Sequence, residues 1–210
     1  MSFYAKYRPA QFRQVLGQEQ VIQILNGASG TGKTSTARIL AMALNCPSLD
    51  GTGEPCGECP SCRTIRKGAN WDVIEVDAAQ FRGIDEIREL KQRAYLSPIG
   101  NKKVYIIDEA HQLTEAAWNG MLKLLEEPPP HLVLILCTTQ VEKVPLTVKS
   151  RCQLYPFHQL KQNEIKGKLE MIAQGEGVEL DPRHLQFIVE SAGGNMRSAE
   201  NILEQVVCLK

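Results

Sequence analysis

The alternation of apolar and polar positions changes character along the 210-residue chain. From Trp71, WDVIEVDA reads as a strand, IDEIRELKQRAYL as an amphipathic helix, and KVYIID as a buried strand. TEAAWNGMLKLLEE then reads as a helix and LVLILCTT as a second buried strand, with Pro128-Pro129-Pro130 stopping the helix between them. Nearly all-apolar strands alternating with helices predict an α/β fold, a parallel sheet covered on both faces. Upstream, Thr34 to Asn45 carries the run ILAMAL and no breaker, which suits a buried helix. Residues 1–17 read as an irregular, aromatic-bearing arm with Pro9, and Gln18 to Leu25 as a short helix with Val21, Ile22 and Leu25 on one side. Pro47 to Cys62 is a turn-dominated insert rich in Gly, Pro and Cys. Beyond Leu160 the pattern is purely helical, over 162–174, 182–192 and 196–208. It divides the chain into domains 1–159 and 160–210.

Composition narrows the class. The formal net charge is zero and the sequence pI is 6.9, so bulk electrostatics demand neither nucleic acid nor an acidic membrane as partner. MSFYAKYRPAQF lacks the apolar run of a signal peptide and no apolar stretch is long enough to span a bilayer, which leads to the expectation of a soluble, cytoplasmic protein. Of the 7 cysteines, Cys137, Cys152 and Cys208 sit singly in apolar surroundings. Cys46, Cys56, Cys59 and Cys62 fall together, with two-residue spacers in the latter part. Thiolates so spaced can close a tetrahedron around Zn²⁺, and a site filled by protein ligands is structural rather than catalytic. Reduced, unliganded thiols and an iron-sulfur cluster are the alternatives.

Gly27, Gly32, Lys33 and Thr34 fit G-x-x-x-x-G-K-[ST]. In such a loop the glycines let backbone amides close around phosphate oxygens, Lys33 supplies a point charge and Thr34 a hydroxyl for Mg²⁺. A chance match in a Gly/Ser/Thr-rich segment is the bland alternative. Asp108 and Glu109 follow an apolar strand, at the carboxyl end where ligands of parallel sheets sit. There Asp108 would hold Mg²⁺ through its water shell and Glu109 would orient the attacking water. A strand-end Asp-Glu that caps the next helix is the competing reading. Thr138 and Thr139 end a buried strand, where a hydroxyl can feel an outermost phosphate, although threonine is also a common strand residue. Arg151 follows a loop as a plain surface arginine would. Arg197 opens the last helix against the helix dipole, which reaching a phosphate would justify.

Tyr7-Arg8-Pro9, Val15-Leu16-Gly17-Gln18, GASGTGKTSTAR, the four-cysteine insert, DEAHQLTEAAWNGMLKLLEEPP, the CTT strand, SRCQ and GGNMRSAENIL occur in this order. Together they resemble the gamma/tau subunit family of bacterial DNA polymerase III clamp loaders, from about Tyr4 to the end. The resemblance implies a P-loop ATPase of the AAA+ type with a zinc module at 46–62, a three-helix lid and a further collar domain that assembles a pentamer. Such a loader opens the sliding clamp and closes it around primed DNA, using ATP. By the same resemblance Gly27, Gly30, Thr31, Gly32, Lys33, Thr34 and Ser35 surround the phosphates and Mg²⁺, with Asp108 and Glu109 as the second motif's acids. Thr139 is similar to the first sensor and Arg197 to the second. Arg151 resembles an arginine finger acting on a neighbour's ATP, a role for the planar guanidinium that lysine cannot copy. Ala5, Tyr7, Arg8, Pro9, Val15 and Gly17 would lie around the adenine.

The sequence departs from that family in places. It stops at Lys210, where the collar would begin, which leads to the expectation of domains one and two alone, largely monomeric and poor at hydrolysis because Arg151 has no partner site. Between Leu25 and Asn26 the family's linker and strand of the form AYLFSG have no counterpart. The expectation is that a linker and the first core strand are missing there. A nucleotide-independent stator or adaptor is the competing function, disfavoured by Lys33, Thr34, Asp108 and Glu109. A branch-migration helicase is another, disfavoured by the cysteine insert and SRC.

Overall fold

The structure is a computed structural model that describes residues 3–6, 24–80 and 83–208. Its centre is a sheet of 5 strands in the order β2-β3-β4-β1-β5, with β1 at Leu25–Gly27, β2 at Val73–Asp77, β3 at Lys103–Asp108, β4 at Leu132–Thr138 and β5 at Tyr155–Phe157. Every pairing is parallel, as the strand–helix alternation predicts.

The period of the strands decides the layering. Along β3, Val104 and Ile106 face one way and Tyr105 and Ile107 the other, and all of them are buried. Val104 and Ile106 join Leu25, Ile135, Cys137 and Phe157 beneath α2 (Lys33–Asn45) and α3 (Pro60–Arg66). Tyr105 and Ile107 join Trp118, Met121 and Leu124 of α5 (Glu115–Glu126) and Ile87 and Leu90 of α4 (Ile84–Ala94). Both faces of the sheet are therefore covered, which is why the interiors of the central strands, residues 104–107 of β3 and 132–137 of β4, are almost wholly apolar.

Some expectations need correction. A core strand is present between Ile24 and the loop: Leu25–Gly27 crosses the very bond at which a strand was expected to be missing. It is short, but Leu25 is 1% exposed and lies between Cys137 of β4 and Tyr155 of β5. The apolar pair Ile24-Leu25 serves both faces of the sheet, so a brief segment suffices once neighbours on either side supply hydrogen bonds. Leu25 thus opens a strand rather than closing a helix. The rest of the expected helix, residues 18–23, lies outside the described residues. The insert is turn-dominated as far as Cys59, where Pro60 at the first turn starts α3 behind a cap from the Cys59 side chain. Strand β5 and the short α6 (Leu146–Lys149) escape the pattern reading, since elements of 3 and 4 residues are below the length at which periodicity is legible.

Helices α7 (Gln162–Glu176), α8 (Pro182–Ala192) and α9 (Met196–Cys208) pack around a separate apolar cluster of Ile165, Leu169, Ile172, Leu185, Ile188 and Leu203. The N-terminal turn α1 (Phe3–Lys6) joins them: Phe3 packs on that cluster, its amide donates to Glu204 at 3.3 Å, and Lys6 pairs with Glu176. No helix among the described residues is long and apolar enough to cross a membrane.

Candidate functional site

Because every strand is parallel, β1, β3 and β4 end at the same edge of the sheet, and the loops that leave them meet there. The glycine loop leaves β1 and enters α2, where Gly32 takes a left-handed conformation, φ 99°, open to glycine at little cost. Lys33 begins the helix and is only 6% exposed. Its Nζ donates to Gly27 O and Ala28 O, both at 2.8 Å, so the loop's own carbonyls hold the ammonium in the centre of the turn. Burial lowers its pKa, while the carboxylates of Glu109 and Asp108 act to raise it. Thr31 ties the loop internally through Ala28 O at 2.9 Å. Ser35 is buried in the first turn of α2.

Thr34 Oγ1 donates to Asp108 Oδ2 at 2.7 Å, joining the loop to the end of β3. The other Asp108 oxygen accepts from the Glu109 amide at 3.0 Å. Glu109 itself has φ 47°, the one non-glycine residue with positive φ among those described, which costs about 1–2 kcal/mol in an L-residue. Strained backbone directly after a strand-end acid aims the next side chain across the edge of the sheet. The Glu109 carboxylate accepts from Thr139 Oγ1 at 3.1 Å, so the acid and the hydroxyl that follows β4 meet at the sheet edge. Thr138, by contrast, is buried, and its hydroxyl pairs with His111 rather than facing the loop.

The helical part touches the loop directly. Met196 N donates to Gly30 O at 3.2 Å, and Asn195, which caps α9 through Ser198 N at 3.0 Å, lies over Gly30 so closely that a Cβ there would meet Asn195 Oδ1 at 1.8 Å. Arg197, one residue on, bears electrostatically on Lys33 and pushes its pKa down. Asn195 and Met196 were not read from sequence as part of the site; the GGN turn ahead of a helix was the available signal. Arg151 stands elsewhere, paired with Glu126 of α5 at 2.6 Å and partly exposed. Ala5 lies in α1, and Tyr7, Arg8, Pro9, Val15 and Gly17 lie outside the described residues.

The sulfurs of Cys46, Cys56, Cys59 and Cys62 all lie within 4.8 Å of one another. Zn–S bonds of about 2.3 Å in a tetrahedron require sulfurs about 3.8 Å apart, and Cys46 and Cys56 are already at 3.6 Å. Backbone amides of Ser48, Cys59 and Cys62 point at the sulfurs of Cys46, Cys56 and Cys59 at 3.4 Å, the donor pattern that favours thiolates. The amides of Cys59 and Glu58 pull the Cys56 thiol down to about 6, whereas burial pushes Cys62 up. Four sulfurs at this spacing repel once ionised, and a divalent cation removes the conflict. The donor set fits zinc.

The molecule can now be set beside known proteins. A family described as "DNA polymerase III, delta subunit" matches residues 10–161. DNA polymerase III subunit tau of Bacillus subtilis (strain 168) is 40% identical over 222 residues, covering 98% of this chain and 39% of that protein. The gamma/tau subunit of Mycobacterium tuberculosis (strain ATCC 25618 / H37Rv) is 40% identical, with 99% of this chain and 39% of that protein covered. The chain belongs to the gamma/tau family of DNA polymerase III subunits. It spans about two-fifths of the length of these gamma/tau relatives. An aligned length of 222 residues against a chain of 210 leaves positions of the Bacillus subtilis protein without a counterpart here. Among solved structures, the Thermotoga maritima RuvB Holliday junction branch migration motor superposes with a TM-score of 0.68 at 17% identity, over 95% of this chain and 65% of that one. At that identity the likeness fixes the AAA+ fold of this gamma/tau family member, and nothing finer.

Proposed function

We propose that the chain is an ATP-binding and ATP-hydrolysing motor module of the replicative clamp loader, which couples nucleotide state to loading of the sliding clamp onto primed DNA alongside other loader subunits. The observation that carries this is the 2.7 Å bond between Thr34 and Asp108, which unites the glycine loop and the strand-end acid in one site with Lys33 at its centre. A protein that used the fold only as a stator or adaptor has no need for a buried lysine facing two carboxylates.

In this reading the phosphates of ATP replace Gly27 O and Ala28 O as partners of Lys33, returning to it the anionic company that burial denies. Thr34 and Asp108 would hold Mg²⁺ in place of their mutual bond, and the ion would supply positive charge to offset the negative charge developing on the phosphates. Glu109 orients and polarises the attacking water, with Thr139 fixing its carboxylate. Residues 160–210 act as a lid whose α9 end rests on Gly30, so loop and lid move together. Arg197 reports the nucleotide from the lid, and Arg151 leaves Glu126 to act on ATP held by a neighbour. The four cysteines hold a structural zinc that fastens the insert to α2 and α3.

Glu109→Gln separates binding from chemistry. It should retain ATP·Mg²⁺ affinity and lower single-turnover hydrolysis by about 100-fold or more. Unaltered hydrolysis in that variant would remove Glu109, and this mechanism, from consideration.

A further inference from the structure

The carboxylate of Glu109 has a second anchor that the ATPase mechanism does not require. His111 Nδ1 lies 3.3 Å from Glu109 Oε2, the same oxygen that accepts from Thr139. The His111 side chain is 3% exposed and that of Glu109 37%, so a buried ring backs a carboxylate that fronts the open edge of the sheet. The ring is fixed in turn. Its Nδ1 is 3.0 Å from Thr138 Oγ1, and Thr138 Oγ1 accepts from Gln140 N at 3.1 Å. The single 3-10 turn Ala110–Gln112 that follows the strained Glu109 brings residue 111 back under residue 109.

Among the described residues both contacts fall on Oε2, which leaves Oε1 as the oxygen available to water. One bond from Thr139 fixes a point and leaves the carboxylate free to swing about it. A second polar group close to the same oxygen, His111 Nδ1 at 3.3 Å, narrows that freedom. Orientation matters here, because misplacing a reacting group by about 1 Å can cost about 100-fold in rate.

We propose that His111 is a positioning residue for Glu109: its Nδ1 proton is shared between Thr138 Oγ1, the nearer acceptor, and Glu109 Oε2, and Oε1 is thereby presented to water. The proposal rests on the ATPase reading above for its consequence, but the contact itself is independent of it. It also requires a defined proton position. A donor is needed at Nδ1, since a lone pair there would face the carboxylate and repel it.

Two measurements on the full chain test this. In ¹⁵N spectra of the imidazoles, His111 should carry its proton on Nδ1. Glu109→Gln should shift the His111 ring nitrogens while those of His131, His158 and His184 stay in place. An unprotonated Nδ1 in the wild type, or a ring indifferent to Glu109→Gln, overturns the proposal whether or not the chain hydrolyses ATP. In turnover assays His111→Leu should lower kcat about 10-fold or more with ATP affinity held within about 2-fold. His111→Asn, whose amide can take the place of Nδ1–H, should restore most of that loss. Wild-type kcat in His111→Leu overturns the proposal, as does equal failure of the Leu and Asn variants at intact affinity. If instead wild type and Glu109→Gln turn over alike, the ATPase reading fails, and the spectra still decide the positioning contact.

Discussion

Gly30 shows how much rests on single residues in this site. It has φ 72°, and the space above it is filled by Asn195. Gly30→Ala therefore carries two penalties, backbone strain of about 1 kcal/mol and a collision that must push the first turn of α9 off the loop. The variant should bind ATP weakly and expose the junction near Gly193-Gly194 to protease. Adding Asn195→Ala should relieve the collision and leave the strain. A double variant no better than Gly30→Ala alone would mean that Asn195 does not define the docked position. Much of the site was legible at this scale: Lys33, Thr34, Asp108 and Glu109 come together at the sheet edge, and Thr139, which its residue type alone leaves as a plain strand threonine, joins them through Glu109. His111 was not legible, since it acts through the left-handed turn at Glu109 that no residue spacing encodes, and Asn195 was marked only by the GGN turn ahead of α9.

At the scale of elements, α9 contains a titration worth measuring. Glu200 is 3% exposed, and burial raises its pKa from 4.5 to about 7 against the opposing pull of Lys168 and Arg197. A carboxyl whose folded pKa lies above its unfolded value keeps its proton longer in the folded state. Its contribution to stability is therefore full below about pH 4.5 and declines as pH rises to about 7. The three-helix unit should lose stability across that window, on the order of a few kcal/mol. Glu200→Gln should flatten the slope and stabilise the unit at pH 8, as read by thermal melts; an unchanged slope places the titration elsewhere. The insert makes a different prediction. Cys46, Cys56, Cys59 and Cys62 should hold one zinc per chain, and a strong chelator or Cys59→Ser should loosen α3 in hydrogen exchange before the β3–β4 core opens. Retained protection of α3 in metal-free protein would show that apolar packing of Ile65 is enough. The long elements α2, α5, β3 and β4 were readable because burial imposes a strict period on them. Strand β1 was not, because Leu25–Gly27 takes its place from the neighbours on either side rather than from its own length.

Across the whole molecule, the parallel order β2-β3-β4-β1-β5 gathers the chemistry at one sheet edge, and the three-helix unit closes on it through Met196 and Gly30. The central claim is that nucleotide occupies this edge and that Lys33 holds it. Calorimetric titration of ATP·Mg²⁺ into wild type and Lys33→Ala, with zinc assayed on the same samples, tests that claim most directly. The account predicts saturable binding of one ATP in wild type, an affinity at least about 100-fold weaker in Lys33→Ala, and equal zinc in both. Absence of binding to wild type at millimolar ATP, or undiminished binding to Lys33→Ala with zinc in place, would contradict it.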